Sequence, residues 1–95
     1  MFRTERLHAL HAVDRHGSLA AAAEALHLTP SAVSQQLSKL ERDAGAPLLV
    51  PHGRSVKLTP AGRLLADAAD TVLGELALAR TRLDALADAA HLGDA

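Results

Sequence analysis

The chain contains no cysteine, no tryptophan and no tyrosine, and Phe2 is its single phenylalanine. Without cysteine there is neither a disulfide framework nor a thiolate zinc site. Without aromatics a core must be assembled from Leu, Val and Ala, which are plentiful: hydrophobic residues make up 48% of the 95 positions. The scarcity of β-branched residues favours helices over sheet. No apolar run approaches the length of a bilayer span, and the opening Met1-Phe2-Arg3-Thr4-Glu5-Arg6 lacks the apolar stretch of a signal peptide. A cytoplasmic chain is expected, with room for one small domain plus one added element.

Charge is nearly balanced overall but unevenly placed. Through Arg63, eight cations (Arg3, Arg6, Arg15, Lys39, Arg42, Arg54, Lys57, Arg63) stand against five anions (Glu5, Asp14, Glu24, Glu41, Asp43). From Leu64 onward only Arg80 and Arg82 oppose six acids, Asp67, Asp70, Glu75, Asp84, Asp88 and Asp94. The two parts are expected to have different tasks.

Punctuation divides the chain into four helices and one hairpin. Thr4 to His16 reads as a helix with Leu7, Leu10 and Val13 on one face, closed by Gly17. Ser18 is a natural N-cap for a short helix, Leu19 to Leu26, rich in alanine. After His27 and Leu28, Thr29-Pro30 supplies a hydroxyl cap and a proline at the first helical position, opening a third helix to about Ala44. Leu48-Leu49-Val50 and Val56-Lys57-Leu58 flank a polar tip, Pro51 to Ser55, as in a short hairpin. Thr59-Pro60 repeats the cap-and-proline signal and begins a long helix to about Ala90.

The third helix separates into two stripes. Val33, Leu37, Leu40 and Ala44 share one face, and Ser31, Ser34, Gln35, Ser38 and Arg42 lie opposite, with Lys39 on the flank. An ordinary solvent-facing stripe carries Glu and Lys, whereas the first half of this one has no acid. Hydroxyls and an amide can both donate and accept, which suits base edges, and hydroxyls at a helix start sit well against phosphate. The short helix, three-residue break and longer helix have helix-turn-helix proportions, in which Ala22, Ala23, Leu26 and Leu28 pack against Val33, Leu37 and Leu40. In the long helix, Leu65, Ala69, Val72, Leu76, Ala79, Leu83, Leu86 and Ala90 alternate in steps of four and three, a heptad seam suited to pairing with a second copy. Leu64, Leu73 and Leu78 widen it where the body of the domain is expected to sit.

The run GSLAAAAEALHLTPSAVSQQLSKLERDAGAPLL followed by GRSVKLTPAG resembles the DNA-binding domain of LysR-type transcriptional regulators. Ala22-Ala23, Leu26, Ala32-Val33-Ser34, Gln36, Leu40-Glu41, Gly45, Pro47-Leu48, Gly53-Arg54, Leu58-Thr59 and Gly62 carry the likeness, from about Phe2 into the long helix. It implies a mainly α, winged helix-turn-helix domain over 1–59, a dimerisation helix over 60–90 and a tail over 91–95. It implies sequence-specific binding of a near-palindromic double-stranded operator by a homodimer, with higher oligomers left open, in the cytoplasm on the nucleoid. Carried over by position, Pro30, Ser31, Ser34, Gln35 and Ser38 approach bases and phosphates, Lys39 a phosphate, and Arg54 in the wing the backbone or minor groove. Leu19-Ala20 replaces an aromatic–hydroxyl pair common in the family, Leu49 a phenylalanine and Pro51 an arginine, which removes a phosphate contact at position 20 and a cation near the wing. Family members carry a larger effector-binding domain, and no effector site is expected within these residues.

Other classes fit the sequence less well. No glycine-rich phosphate loop and no serine in a strand-to-helix elbow is present, so no enzyme and no cofactor is expected. His8 and His11, three apart on the first helix, could share a metal with a third ligand, but the other four histidines are dispersed. A helical protein-interaction module would explain the heptad seam but not the acid-free polar face or the hairpin.

Overall fold

The computed structural model describes residues 1–93. The chain order is α1 (Thr4–His16), α2 (Leu19–Leu26), α3 (Pro30–Ala44), β1 (Leu49–His52), β2 (Ser55–Leu58) and α4 (Pro60–Gly93). Three of the four helix starts, those of α2, α3 and α4, are capped by a hydroxyl. Ser18 Oγ accepts from the Ala21 N–H at 3.0 Å and Thr29 Oγ1 from the Ala32 N–H at 3.1 Å. Thr59 Oγ1 accepts from the Gly62 N–H at 3.0 Å while donating to the Pro47 carbonyl at 2.7 Å. These bonds satisfy orphan donors at the helix starts.

Helix α1 lies at the centre and packs against α2, α3 and α4. Its Leu7, Leu10 and Val13 meet Ala22 and Ala23 of α2, Val33, Leu37 and Leu40 of α3, Leu48, and Ala66, Ala69 and Leu73 of α4 in one cluster. The alanines substitute for absent aromatics by letting helix backbones approach closely. Among the described residues the buried cluster consists of apolar side chains alone.

The 34 residues of α4 extend far beyond the core, and the molecule measures 58 × 24 × 18 Å. The helix continues to Gly93, past the expected end at Ala90, so of the expected tail only 94–95 lie outside the described residues. Five apolar residues sit elsewhere than their pattern suggested. Leu28 is 45% exposed, because the αL residue before it turns the chain outward. Leu64 and Leu78 face solvent instead of the domain. Conversely, Ala69 is buried and Leu65 packs against the core. The first residues of the heptad seam therefore serve the domain itself, and the exposed stretch is Val72, Leu76, Ala79, Leu83 and Leu86.

The hairpin is tighter than expected. Pro51, His52 and Ser55 belong to the strands, which pair antiparallel with Leu49 opposite Leu58 and His52 opposite Ser55. Only Gly53 and Arg54 form the turn, with Gly53 at φ 61, as a two-residue turn requires at its first central position. Pro51 is tolerated because both strands of a two-stranded ribbon are edges.

Gly62 fixes how α4 leaves the hairpin. A Cβ there would lie 2.0 Å from the Leu48 carbonyl oxygen and 3.2 Å from Leu58 Cδ2. That carbonyl is itself held by the Thr59 N–H at 3.0 Å and cannot retreat. Gly62→Ala is therefore expected to cost roughly 1–3 kcal/mol of stability. Gly74→Ala, where nothing lies within 4 Å, is expected to gain up to about 1 kcal/mol. Urea unfolding of the two variants checks the pair; equal effects would contradict the close approach.

Candidate nucleic-acid interface

The turn between α2 and α3 is set by His27, which adopts φ 57, ψ 39, a left-handed conformation uncommon outside glycine. It is held there by its N–H to the Glu24 carbonyl at 3.2 Å and by the Leu28 N–H to the Ala23 carbonyl at 2.9 Å. The chain then enters α3 at the Thr29 cap. Val33 and Leu40 are wholly buried and Leu37 nearly so. Pro30, Ser31, Ser34, Gln35, Ser38 and Lys39 are all exposed. The two stripes read from the sequence are thus an inner and an outer face of one fixed helix.

The hairpin is tied to the same body. Ser55 Oγ donates to the Gly17 carbonyl at 2.7 Å, pinning the wing against the α1–α2 corner, with Arg54 exposed at its tip. Ser55 is a positioning residue that the sequence offered no means of finding, since the bond spans 38 positions.

Pairing of the acids shapes the local charge. Glu41 Oε2 accepts from the Leu48 N–H at 2.8 Å and so caps the loop after α3. Asp43 pairs with Arg6 of α1. Asp14 receives two bonds from Arg63, at 2.8 and 2.7 Å, and Arg63 also reaches Asp67. Arg63 is thereby committed to tying α4 to α1. Lys39, Arg42, Arg54 and Lys57 are exposed, and none of them forms an ion pair among the described residues.

His11 Nε2 lies 2.8 Å from Asp70 Oδ1 and links α1 to α4 instead of joining His8 at a metal. Among the described residues no group of three or more His, Asp or Glu side chains is placed to hold a metal ion. No described helix is long and apolar enough to cross a membrane.

A helix-turn-helix backed by a third helix and followed by a two-stranded wing defines a winged helix-turn-helix domain. The sequence model described as the bacterial regulatory helix-turn-helix protein, lysR family, matches residues 4–63. The chain belongs to that family. It is 49% identical over 70 residues to the HTH-type transcriptional regulator PtxR of Pseudomonas aeruginosa, covering 74% of this chain and 22% of that protein. It is 40% identical over 79 residues to MetR of Escherichia coli, covering 83% of this chain and 25% of MetR. The chain thus spans about a quarter of the length of these curated relatives. Among solved structures, it resembles the DNA-binding domain in the CbnR–DNA complex with a TM-score of 0.79 and 32% identity, covering 90% of this chain and 98% of that one. Full-length LysG of Corynebacterium glutamicum gives a TM-score of 0.80 at 30% identity, covering 90% of this chain and 29% of LysG.

The Arg63 bonds hold the Asp14 carboxyl below its ordinary pKa. A depressed carboxylate contributes stability that is present above its unfolded pKa, about 3.9, and is lost as pH falls through the folded value. Asp14→Asn is expected to lower Tm by a few degrees at neutral pH and to unfold with a shallower acid dependence, the two proteins converging below the ordinary carboxylate range. A Tm deficit that stayed constant into acid would show that the Arg63 link is not what Asp14 contributes.

Proposed function

We propose that the chain binds double-stranded DNA sequence-specifically, as the operator-reading part of a transcriptional regulator. The observation that carries this reading is the outer face of α3: exposed hydroxyls and an amide, free of acid over its first half and fixed by a buried aliphatic face. Pro30, Ser31, Ser34, Gln35 and Ser38 are assigned to the major groove, with Lys39 on a phosphate. Ser and Gln each offer a donor and an acceptor to base edges. Arg54, projected by a wing anchored at Gly17, is assigned to the backbone or minor groove. Support comes from the likeness to the CbnR domain in its DNA complex and from the regulators to which the chain is related.

The working unit is a homodimer joined through the exposed stripe of α4, Val72, Leu76, Ala79, Leu83 and Leu86, with higher oligomers permitted. Two-fold symmetry then calls for a near-palindromic operator with half-site centres ~10 base pairs apart or a multiple of it. Such a regulator is non-catalytic and works in the cytoplasm on the nucleoid.

Selection of bound duplexes from a random pool tests the reading, its expected product being a near-palindrome. Gln35→Ala or Ser34→Ala is expected to relax preference at particular base pairs by about 1–3 kcal/mol. Arg54→Ala is expected to weaken all duplexes alike and reduce the salt slope by about one unit. An unchanged selected motif with Gln35→Ala would remove that residue from base readout, and no enrichment of any motif would overturn the reading.

A further inference from the structure

A second basic feature flanks α3. Arg6, near the start of α1, meets Lys39, Arg42 and Asp43 of α3 around a cleft of about 360 Å³. Arg6 reaches Asp43 with one terminal nitrogen, but its Nε is buried and has no hydrogen-bond partner. Three cations converge there on a single carboxylate. Lys39 and Arg42, three apart on one helix, repel each other, and Arg42 forms no ion pair among the described residues. The site is short of negative charge, which a phosphate group supplies.

Its position agrees with that chemistry. At about 100° per residue, Arg42 falls within roughly 40° of Ser31, Gln35 and Ser38, and Lys39 lies about 60° further round, toward α1. The cleft is therefore the lateral margin of the polar face. A helix lying in a major groove meets the flanking phosphodiester backbone along such a margin.

We propose that the Arg6–Lys39–Arg42 cleft binds a backbone phosphate of the DNA duplex, with Asp43 holding Arg6 in place in the free protein and competing with the phosphate for it. The site rests on the DNA-binding reading above and adds to it a contact from α1, outside the helix-turn-helix and the wing. A phosphate-class anion could also come from solution, so the two sources are separated in the test.

Binding of the full chain to its selected duplex and to a scrambled duplex would be followed between about 50 and 200 mM salt for wild type, Arg6→Gln/Arg42→Gln and Asp43→Asn. The double variant is expected to weaken both duplexes by the same factor and to lower the slope of log K against log salt by about 0.9, the value for one phosphate. Asp43→Asn is expected to bind both duplexes more tightly, on the order of threefold, because a carboxylate facing the phosphate is gone. A purely structural Arg6–Asp43 pair predicts the opposite, namely that Asp43→Asn weakens binding as loss of Arg6 does. That result, or an unchanged slope in the double variant, overturns the site while leaving DNA binding intact. Thermal melts in inorganic phosphate and in chloride at equal ionic strength provide the second arm. A phosphate-specific stabilisation lost in the double variant, with no change in DNA affinity, would assign the cleft to a free anion and overturn the proposal. If wild type binds neither duplex, both this inference and the reading beneath it fall.

Discussion

Val33, Leu37 and Leu40 press α3 onto the rest of the core, and the direction of its outer face follows from that contact. A helix of 15 residues is marginal alone in water, so its orientation comes from packing. With Val33 and Leu40 fully buried, rotation about the axis would expose aliphatics and bury serines, at a cost of a few kcal/mol. The serine–glutamine stripe is thus presented at a fixed angle before any ligand arrives. Preorganisation of this kind limits the ordering entropy paid on association.

The same economy governs the way wing and stalk are attached. Thr59 bonds the loop before β1 and the first turn of α4 at once, and Gly62 lets α4 slide against the Leu48 carbonyl. Leu48 is buried, its N–H held by Glu41 of α3. A short chain of contacts therefore runs from α3 through Leu48 to the start of α4, while Ser55 secures the far end of the wing. The stalk then projects an apolar stripe beyond its own domain, with Val72, Leu76, Leu83 and Leu86 each at least 44% exposed.

Local signals were legible in the sequence wherever chemistry acts within a few residues. The hydroxyl caps at Ser18, Thr29 and Thr59 and the inner and outer stripes of α3 all concern neighbours within one or two helical turns. Contacts that depend on tertiary approach were not legible. A heptad pattern cannot say where a domain's own core ends, which is why Leu65 and Ala69 read as part of the pairing seam although the domain covers them. Leu28 looked like core because an αL histidine before it was not foreseeable from composition. Arg6 meets Asp43 across 37 positions, and only the packing of α1 on α3 discloses that the flank of α3 carries a third cation.

Charge gains meaning only once the pairs are known. Arg6 and Arg63 count equally with Arg54 in the sequence, yet Arg63 is spent on two carboxylates of α1 and α4, while Arg54 stands exposed on the wing. The direct measurement of where nucleic acid meets this surface is a backbone-amide chemical-shift map of the full chain titrated with its selected duplex. Amides of Ser31, Ser34, Gln35, Ser38 and Arg54 are expected to move most, with those around Leu76 to Leu86 nearly still. Large shifts along the exposed stripe of α4, with Ser31 to Ser38 unmoved, would contradict the assignment of the α3 outer face to DNA.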